Sequence, residues 1–382
     1  NPTGSKFLDE RTRTAGCRPG GRFRPSGPLV LGALGVILLL ASLWSLGSGA
    51  VETGYGDVVA ALAGPGQSGE VDLRTIAVRE IRLPRLVAGI LVGVALTLAG
   101  ALLQGLFRNP LADPALIGVS SGAAMGGVLA LVGLPLALEA WSAAGAGPSP
   151  AFERFVDWFG LPVLAMGGAV GLTFVIYRVS LVRGRTHVPA MLLTGIAVNA
   201  IGGAFVGLMV TVFATDEQLR SVTFWTLGSL AGANWANTCI MALFVVPAAI
   251  FALRYDRALN SFLLGEAEAF HLGVRVQRVK RTVIVLAALM VGITVAFCGI
   301  IGFVGLVVPH MIRTAFGPDH RLLLPAGALL GAAILVVADV CARTAVAPSE
   351  LQIGILTALL GGPFFLALLL RARRSGATST GL

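Results

Sequence analysis

The sequence has few charged residues. Only 12% of its 382 residues are charged, whereas a soluble domain of ordinary composition carries about 25%. Hydrophobic residues make up 56% of the chain, and its mean hydropathy is +0.86. This composition excludes an ordinary soluble protein. The net charge of +9 is therefore interpreted through membrane topology, and we expect no nucleic-acid partner.

Patterns that would indicate a metal or nucleotide site are also absent. The four cysteines are scattered and show no disulfide or metal spacing, and no two of the four histidines stand four residues apart. No GxxxxGK[ST] motif occurs, so the chain does not hydrolyse ATP by itself. We expect no catalytic residues, no metal and no cofactor.

Long apolar segments dominate what remains. Each is long enough to cross roughly 30 Å of hydrocarbon, and none has the alternation of barrel strands. The 50 glycines suit closely packed membrane helices. The segments predict an all-α polytopic membrane protein with about ten spans: 29–50, 83–107, 114–135, 159–182, 189–213, 235–253, 282–300, 301–316, 323–346 and 352–370.

No polar residue separates the seventh and eighth segments, so the two could form one span. The alternative count is therefore nine spans. Gly299, Gly302, Gly305 and Pro309 favour a turn and a short eighth helix. With ten spans, 21 of the 28 Lys and Arg residues lie on the side of the N-terminus. Cytoplasmic loops are enriched in these residues, which places both termini in the cytoplasm.

The chain is therefore expected to be one transmembrane domain over residues 29–371. Residues 1–28 are interpreted as a disordered basic cytoplasmic tail, and residues 372–382 as a C-terminal tail. Residues 51–63 and 216–229 suit short helices at the outer surface.

The second apolar segment carries a stripe of small residues. Gly93, Thr97, Ala101 and Gly105 recur every four residues and therefore share one helix face. Such a face favours close helix packing, and the lining of a transport pathway is the alternative. Gln104 lies near the inner end of the same helix.

Three arginines are expected near the outer ends of helices. Arg82 and Arg85 flank a proline, and Arg343 follows Asp339 by four residues, a spacing that allows an ion pair. Two interpretations stay open. The side chains snorkel to the membrane surface, or they receive carboxylates from a partner or an anionic ligand.

An acidic segment, FLLGEAEAFHLGV, interrupts a basic cytoplasmic loop at residues 262–274. Glu266 and Glu268 are its two carboxylates, and Gly265 and Gly273 bracket it. A short helix held outside the bilayer is either a surface for a soluble partner or a plain solvated helix.

Four separated motifs resemble the FecCD-type permeases, the membrane subunits of type II ABC importers for haem, ferric siderophores and cobalamin. They are RLPRLVAGILVGVALTLAGALLQGLFRNPLADPALIGVSSGA (82–123), LLGEAEAFHLGV (263–274), GIIGFVGLVVPHMIR (299–313) and ELQIGILTALLGGPFF (350–365). The resemblance implies a ten-helix permease of the bacterial inner membrane that works as a homodimer. Its partners would be two cytoplasmic ATPase subunits and a periplasmic binding protein, and its pathway would lie at the dimer interface.

The resemblance also implies roles for particular residues. Coupling helices near 259–274 would contact the ATPase, with Glu266 and Glu268 facing it. Arg82, Arg85 and Arg343 would dock the binding protein. The residues matched to the coupling position are Leu264, Gly265, Glu266, Glu268, Leu272 and Gly273.

The cargo is less specified. Residues 191–204 and 219–235 resemble the haem branch, so we expect haem or a related iron chelate, with a ferric siderophore or cobalamin as the alternative. An ion-coupled secondary transporter is the alternative from another class. It would usually need ionisable groups in mid-membrane, and here Asp339 is the only such carboxylate, with Arg343 beside it.

Overall fold

The computed structural model describes residues 26–49, 53–63, 73–145, 147–182, 185–346 and 349–377. The predicted tail over residues 1–28 lies outside this part of the chain, except for its last three residues. At the other end, regular helix continues to Ala377. The first residues of the predicted C-terminal tail are therefore helical.

The described residues form sixteen α-helices and one small hairpin. The helices are α1 Gly27–Gly47, α2 Tyr55–Ala63, α3 Leu73–Ile76, α4 Leu83–Phe107, α5 Val119–Val128, α6 Leu134–Ala143, α7 Pro150–Val179, α8 Val188–Phe213, α9 Asp216–Thr226, α10 Trp235–Leu253, α11 Asp256–Leu264, α12 Glu266–His271, α13 Val276–Cys298, α14 Val304–Phe316, α15 His320–Thr344 and α16 Ile353–Ala377. The antiparallel hairpin pairs β1 Leu181–Val182 with β2 Arg185–Thr186. Short π-helical turns at Ala77–Arg82 and Leu129–Gly133 join α3 to α4 and α5 to α6, and a 3₁₀ turn at Pro114–Ile117 precedes α5.

Eight helical segments of the described chain are long and apolar enough to span a bilayer, and α14 and the apolar part of α16 are shorter. These ten segments correspond to the ten that the sequence predicts. Residues 299–303 separate α13 from α14, with positive φ at Gly299 (70°) and Phe303 (66°). Gly299 and Gly302 lie in this turn, and Gly305 and Pro309 lie inside α14, the short eighth helix that the sequence predicts. The two predicted outer helices are present as α2 and α9.

Helix α4 is the centre of the bundle. In the most apolar stretch of Leu73–Phe107, 83% of the residues are buried, against 6% in α8. Helix α4 packs against α10, α13, α14 and α15, whereas α8 rests mainly on α5 and exposes apolar side chains such as Leu193, Ile196 and Ile201. A central helix surrounded by others explains why the longest apolar segment is also rich in small residues.

The small-residue stripe of α4 lies between helices. Thr97 and Ala101 have no exposed surface, and Gly93 and Gly105 are also buried. A Cβ atom on Gly93 would approach the Ala332 Cα atom of α15 to 2.7 Å. Within one chain these small residues therefore pack against neighbouring helices and do not line an open pathway.

Gly100→Ala should destabilise the bundle by about 3 kcal/mol, the upper part of the range for overpacked cores. The new Cβ atom would lie 2.7 Å from the Gly305 Cα atom of α14 and closer still to its carbonyl group, and backbone cannot move aside easily. Gly32→Ala in α1 is the matched control, because nothing lies within 4 Å of that position. It should be neutral or stabilising by up to about 1 kcal/mol. Thermal unfolding of both purified variants checks this, and equal midpoints would contradict it.

Candidate functional site

A buried ionic network joins three elements at the predicted outer face. The Arg85 Nη2 atom lies 2.9 Å from Asp339 Oδ1 and 3.0 Å from Glu350 Oε2. The predicted pair is also present, with Arg343 Nε 3.6 Å from Asp339 Oδ2. One arginine of α4 thus holds a carboxylate of α15 and one from the segment before α16.

The other arginines of this face bind the end of α1. Arg82 donates from Nη1 to the Leu46 carbonyl oxygen at 2.7 Å and to the Thr53 hydroxyl. Arg343 donates to the carbonyl oxygens of Ser45 at 2.6 Å and Ser48 at 2.9 Å. The last carbonyl groups of a helix lack partners within it and carry partial negative charge, so guanidinium groups stabilise this end.

The three arginines are mostly buried in this arrangement. Arg82 and Arg85 are only 5% and 8% exposed, and the Arg343 side chain is 7% exposed. All three guanidinium groups are held by groups of the same chain, so they do not snorkel to the membrane surface. Sequence reasoning missed Glu350, because its partner Arg85 lies 265 residues away along the chain.

The acidic segment contains the end of α11 and the whole of α12, on the side that the topology assigns to the cytoplasm. Gly265, with φ of 123°, separates α11 from α12, and Gly273, with φ of 84°, follows the end of α12. Three large apolar side chains project from this region, namely Leu264 (66% exposed), Phe270 (68%) and Leu272 (63%). Such a patch outside a bilayer is typical of a protein-binding surface.

The two glutamates of α12 have different surroundings. Glu266 Oε1 lies 2.7 Å from Lys280 Nζ of α13, and Lys280 is only 2% exposed. The same ammonium group donates to the Thr186 carbonyl oxygen at 3.1 Å. Both glutamates are exposed, with 44% of the Glu266 side chain accessible, and of the two it is Glu266 that forms an ion pair with this buried cation.

Lys280 therefore joins α12 to the hairpin that precedes α8. The Thr186 amide also donates to the Gln277 Oε1 atom of α13 at 3.1 Å. Both backbone polar groups of Thr186 are thus held by side chains of α13, two residues before α8 begins. We name Glu266, Lys280, Gln277 and Thr186 the inner clamp. The sequence indicated only its glutamate, because a lysine in a basic loop resembles its neighbours.

A second set of contacts fixes α11 to the start of α15. Asn260 donates to Asp319 Oδ1 at 2.6 Å and accepts from the His320 amide at 2.9 Å. Asp319 caps α15 by accepting from the Arg321 amide. The hydrogen bonds from Arg321 and then Asn260 hold the pKa of Asp319 below its ordinary value. Helices α11 and α12 are thus attached to two different membrane helices.

Gln104 joins α4 to α14 near the inner face. Its amide donates to the Leu306 carbonyl oxygen at 3.2 Å and accepts from Arg313 at 3.0 Å. The residue is 2% exposed and serves as a packing contact between helices.

The inner face also has a cleft of about 650 Å³ beside α12. Its cationic lining comes from the hairpin (Arg185), the loop after α12 (Arg275) and the first turn of α13 (Arg278). Among the described residues, no group of three or more His, Cys, Asp or Glu side chains is arranged to hold a metal ion.

Comparison with known proteins identifies the family. The FecCD transport family matches residues 37–371. The chain is 40% identical to the hemin transport system permease protein HmuU of Yersinia pestis, over 93% of this chain and 99% of that protein. It is 41% identical to the cobalamin import system permease protein BtuC of Halobacterium salinarum, over 81% and 77% of the two chains. It is 37% identical to the vitamin B12 import system permease protein BtuC of Escherichia coli, over 89% and 94%.

A solved structure of the same class agrees with the fold. It is an inward-facing ABC transporter assigned to the metal-chelate type, with a TM-score of 0.74 and 30% identity over 90% of this chain and 99% of that one. In this family ATP hydrolysis belongs to separate subunits, and the permease works with a binding protein in a membrane. The ion-coupled secondary transporter is thereby set aside. The chain belongs to the FecCD transport family and is a multi-pass ABC importer permease of the bacterial inner membrane.

Proposed function

We propose that this permease imports haem. The observation that carries the proposal is the match to the hemin permease, at 40% identity over 99% of that protein. The Escherichia coli vitamin B12 permease matches at 37% over 94% of its length, and the archaeal cobalamin permease at 41% over 77%. Cobalamin is the second candidate, because its permeases reach the same level of identity.

The working unit that we propose is a homodimer. Helix α8 exposes Leu193, Ile196, Ile201 and Leu208 on one flank of the chain, although it is anchored to α5 on the other. A Cβ atom on Gly195 of α8 would overlap the Leu116 carbonyl group, so this contact is close. The exposed flank supports a partner helix of a second copy, with the pathway between the copies.

ATP-driven movement enters, in this proposal, through α11 and α12. The exposed Leu264, Phe270 and Leu272 would enter a groove of the ATPase, and Glu268 would lie at the rim of that contact. Glu266 acts differently from our first expectation. It links α12 through Lys280 to the hairpin and so to α8, which lies on the proposed dimer flank. A movement of α12 caused by the ATPase is thereby transmitted to α8 and to the pathway.

The binding protein docks, in this proposal, on the outer ends of α1, α4 and α15. Arg82, Arg85 and Arg343 bring these ends together, so they shape the docking face. The half-exposed Glu350 competes with an incoming carboxylate for Arg85. Docking that recruits Arg85 directly must therefore displace Glu350, and its affinity should depend on salt.

The test is transport by the complete complex in vesicles. A haem-loaded binding protein is added outside with ATP, and a haem-trapping protein inside reports arrival by its Soret band. We expect an ATP-dependent signal that excess cobalamin does not reduce. The control replaces ATP with a non-hydrolysable analogue. Cobalamin uptake without haem uptake would overturn the cargo assignment and leave the importer class intact.

The histidines provide a second readout in the same assay. All four fall in the inner half by our topology: His187, His271, His310 and His320. Replacing them should spare haem capture from the outer face, because no histidine there would ligate the iron.

A further inference from the structure

A groove between α7 and α13 opens on the flank of the chain. It has a volume of about 540 Å³. Its walls are apolar along most of its length, with Val170 and Phe174 from α7 and Val285 and Leu289 from α13. Phe174 and Val285 are more than half exposed, so the groove faces outward from the bundle and can receive a hydrocarbon chain.

Two cations stand at one end of the groove. Arg178, near the end of α7, and Arg281, near the start of α13, both line it and are both exposed. Among the described residues neither guanidinium has an ion pair, and Arg178 only lies over the Phe174 ring, 5.8 Å from its centre. The excess of basic residues assigns this end to the cytoplasm. An apolar groove with unpaired cations at its cytoplasmic mouth has the charge pattern of a site for an anionic lipid.

A polar atom inside the groove lacks a partner. Thr173 lines the groove and is only 4% exposed, and its Oγ1 atom makes no hydrogen bond within the described part of the chain. Threonine in a helix usually donates to the carbonyl oxygen four residues earlier, and a buried hydroxyl without any bond is costly. Thr173 precedes Arg178 by five residues, which is about 7.5 Å along the helix axis. The headgroup layer on each side of a bilayer is roughly 5–8 Å thick, so Thr173 lies where the ester groups of a lipid begin.

We propose that this groove binds an anionic glycerophospholipid of the inner leaflet. Its phosphate lies between Arg178 and Arg281, which donate to the phosphate oxygens. An ester carbonyl oxygen accepts from the Thr173 hydroxyl, and an acyl chain follows the apolar wall toward Val170 and Leu289. The assignment is independent of the cargo, because none of these residues belongs to the inner clamp or to the outer network.

The test is native mass spectrometry of the assembled complex with phosphatidylglycerol or with phosphatidylcholine of the same acyl chains. We expect selective retention of phosphatidylglycerol. Arg178→Gln and Arg281→Gln should each weaken it about fivefold, and together about thirtyfold. Arg254→Gln, which removes one exposed cytoplasmic charge outside the groove, should change affinity less than twofold. Thr173→Val, which keeps the shape of the side chain, should weaken binding without changing net charge.

A second variant separates a built site from diffuse charge. Val285→Trp fills the groove, keeps both arginines and alters an exposed position, so folding is spared. It should abolish selective retention. Retention unchanged in Val285→Trp would overturn the proposal, because the lipid would then follow surface charge alone. Equal retention of the two lipids would also overturn it. A third result would overturn the proposal: phosphatidylglycerol binds the isolated permease but is absent from the assembled complex. That result would assign the two arginines to the contact with the ATPase.

Discussion

Replacing Lys280 with methionine is expected to separate ATP hydrolysis from transport. Methionine keeps an apolar stem in the buried site but removes the ammonium group that holds Glu266 and the Thr186 carbonyl oxygen. Hydrogen bonds to charged groups contribute about 1.5–3 kcal/mol each, so a loosened α12 should lose most of its influence on α8. We expect transported substrate per ATP to fall about tenfold or more, with ATPase activity of the complex within about twofold of the original.

Two neighbouring glutamates provide the controls for this result. Glu266→Gln should reproduce much of the loss. Glu268→Gln removes the same charge from the same helix, but from a side chain that forms no ion pair with Lys280, and should leave the ratio of transport to hydrolysis near normal. Because Glu266 and Lys280 act as one pair, the double variant Glu266→Gln/Lys280→Met should be no worse than Lys280→Met alone. Additive losses, or normal coupling in Lys280→Met, would refute the clamp.

Arg85→Met should produce the largest loss of stability among single substitutions at the outer face. It leaves Asp339, which is 3% exposed, with Arg343 at 3.6 Å as its remaining cation. Removing one partner of a buried ion pair typically costs about 3–5 kcal/mol, because the other charge is left uncompensated. Arg220→Met is the control, since Arg220 is exposed in α9. Its unfolding midpoint should change little, as is usual for surface substitutions.

The double variant Arg85→Met/Asp339→Leu tests the cause of this loss. A buried ion pair can often be replaced by apolar side chains of similar volume with little cost. The double variant should therefore regain much of the stability lost in Arg85→Met, as measured by the unfolding midpoint of each purified permease. If Arg85→Met unfolds like Arg220→Met, the network does not hold the outer ends of α4 and α15 together.

The sequence by itself determined the class of the fold, its spans and the positions of its breaks. Hydrocarbon thickness sets the length of a span, so apolar segments such as 83–107 and 235–253 correspond closely to α4 and α10. The preference of glycine for positive φ is a property of the single residue, so Gly265 and Gly273 correctly indicated the ends of helices. The motifs for the family are also local strings of residues, so they were visible without a structure.

Only the tertiary structure decided what the charged residues do. Arg85 lies 254 residues from Asp339 and Lys280 lies 94 residues from Thr186, and no local pattern indicates such pairs. Position along the chain suggested that Arg82 and Arg85 either snorkel to the membrane surface or receive carboxylates from a partner, and that Glu266 and Glu268 are equivalent. Burial reversed the first expectation, and a single 2.7 Å contact to Lys280 distinguished the two glutamates. The free energy of an ionisable group depends on its solvation and on its nearest charges, and both are set by how distant helices pack.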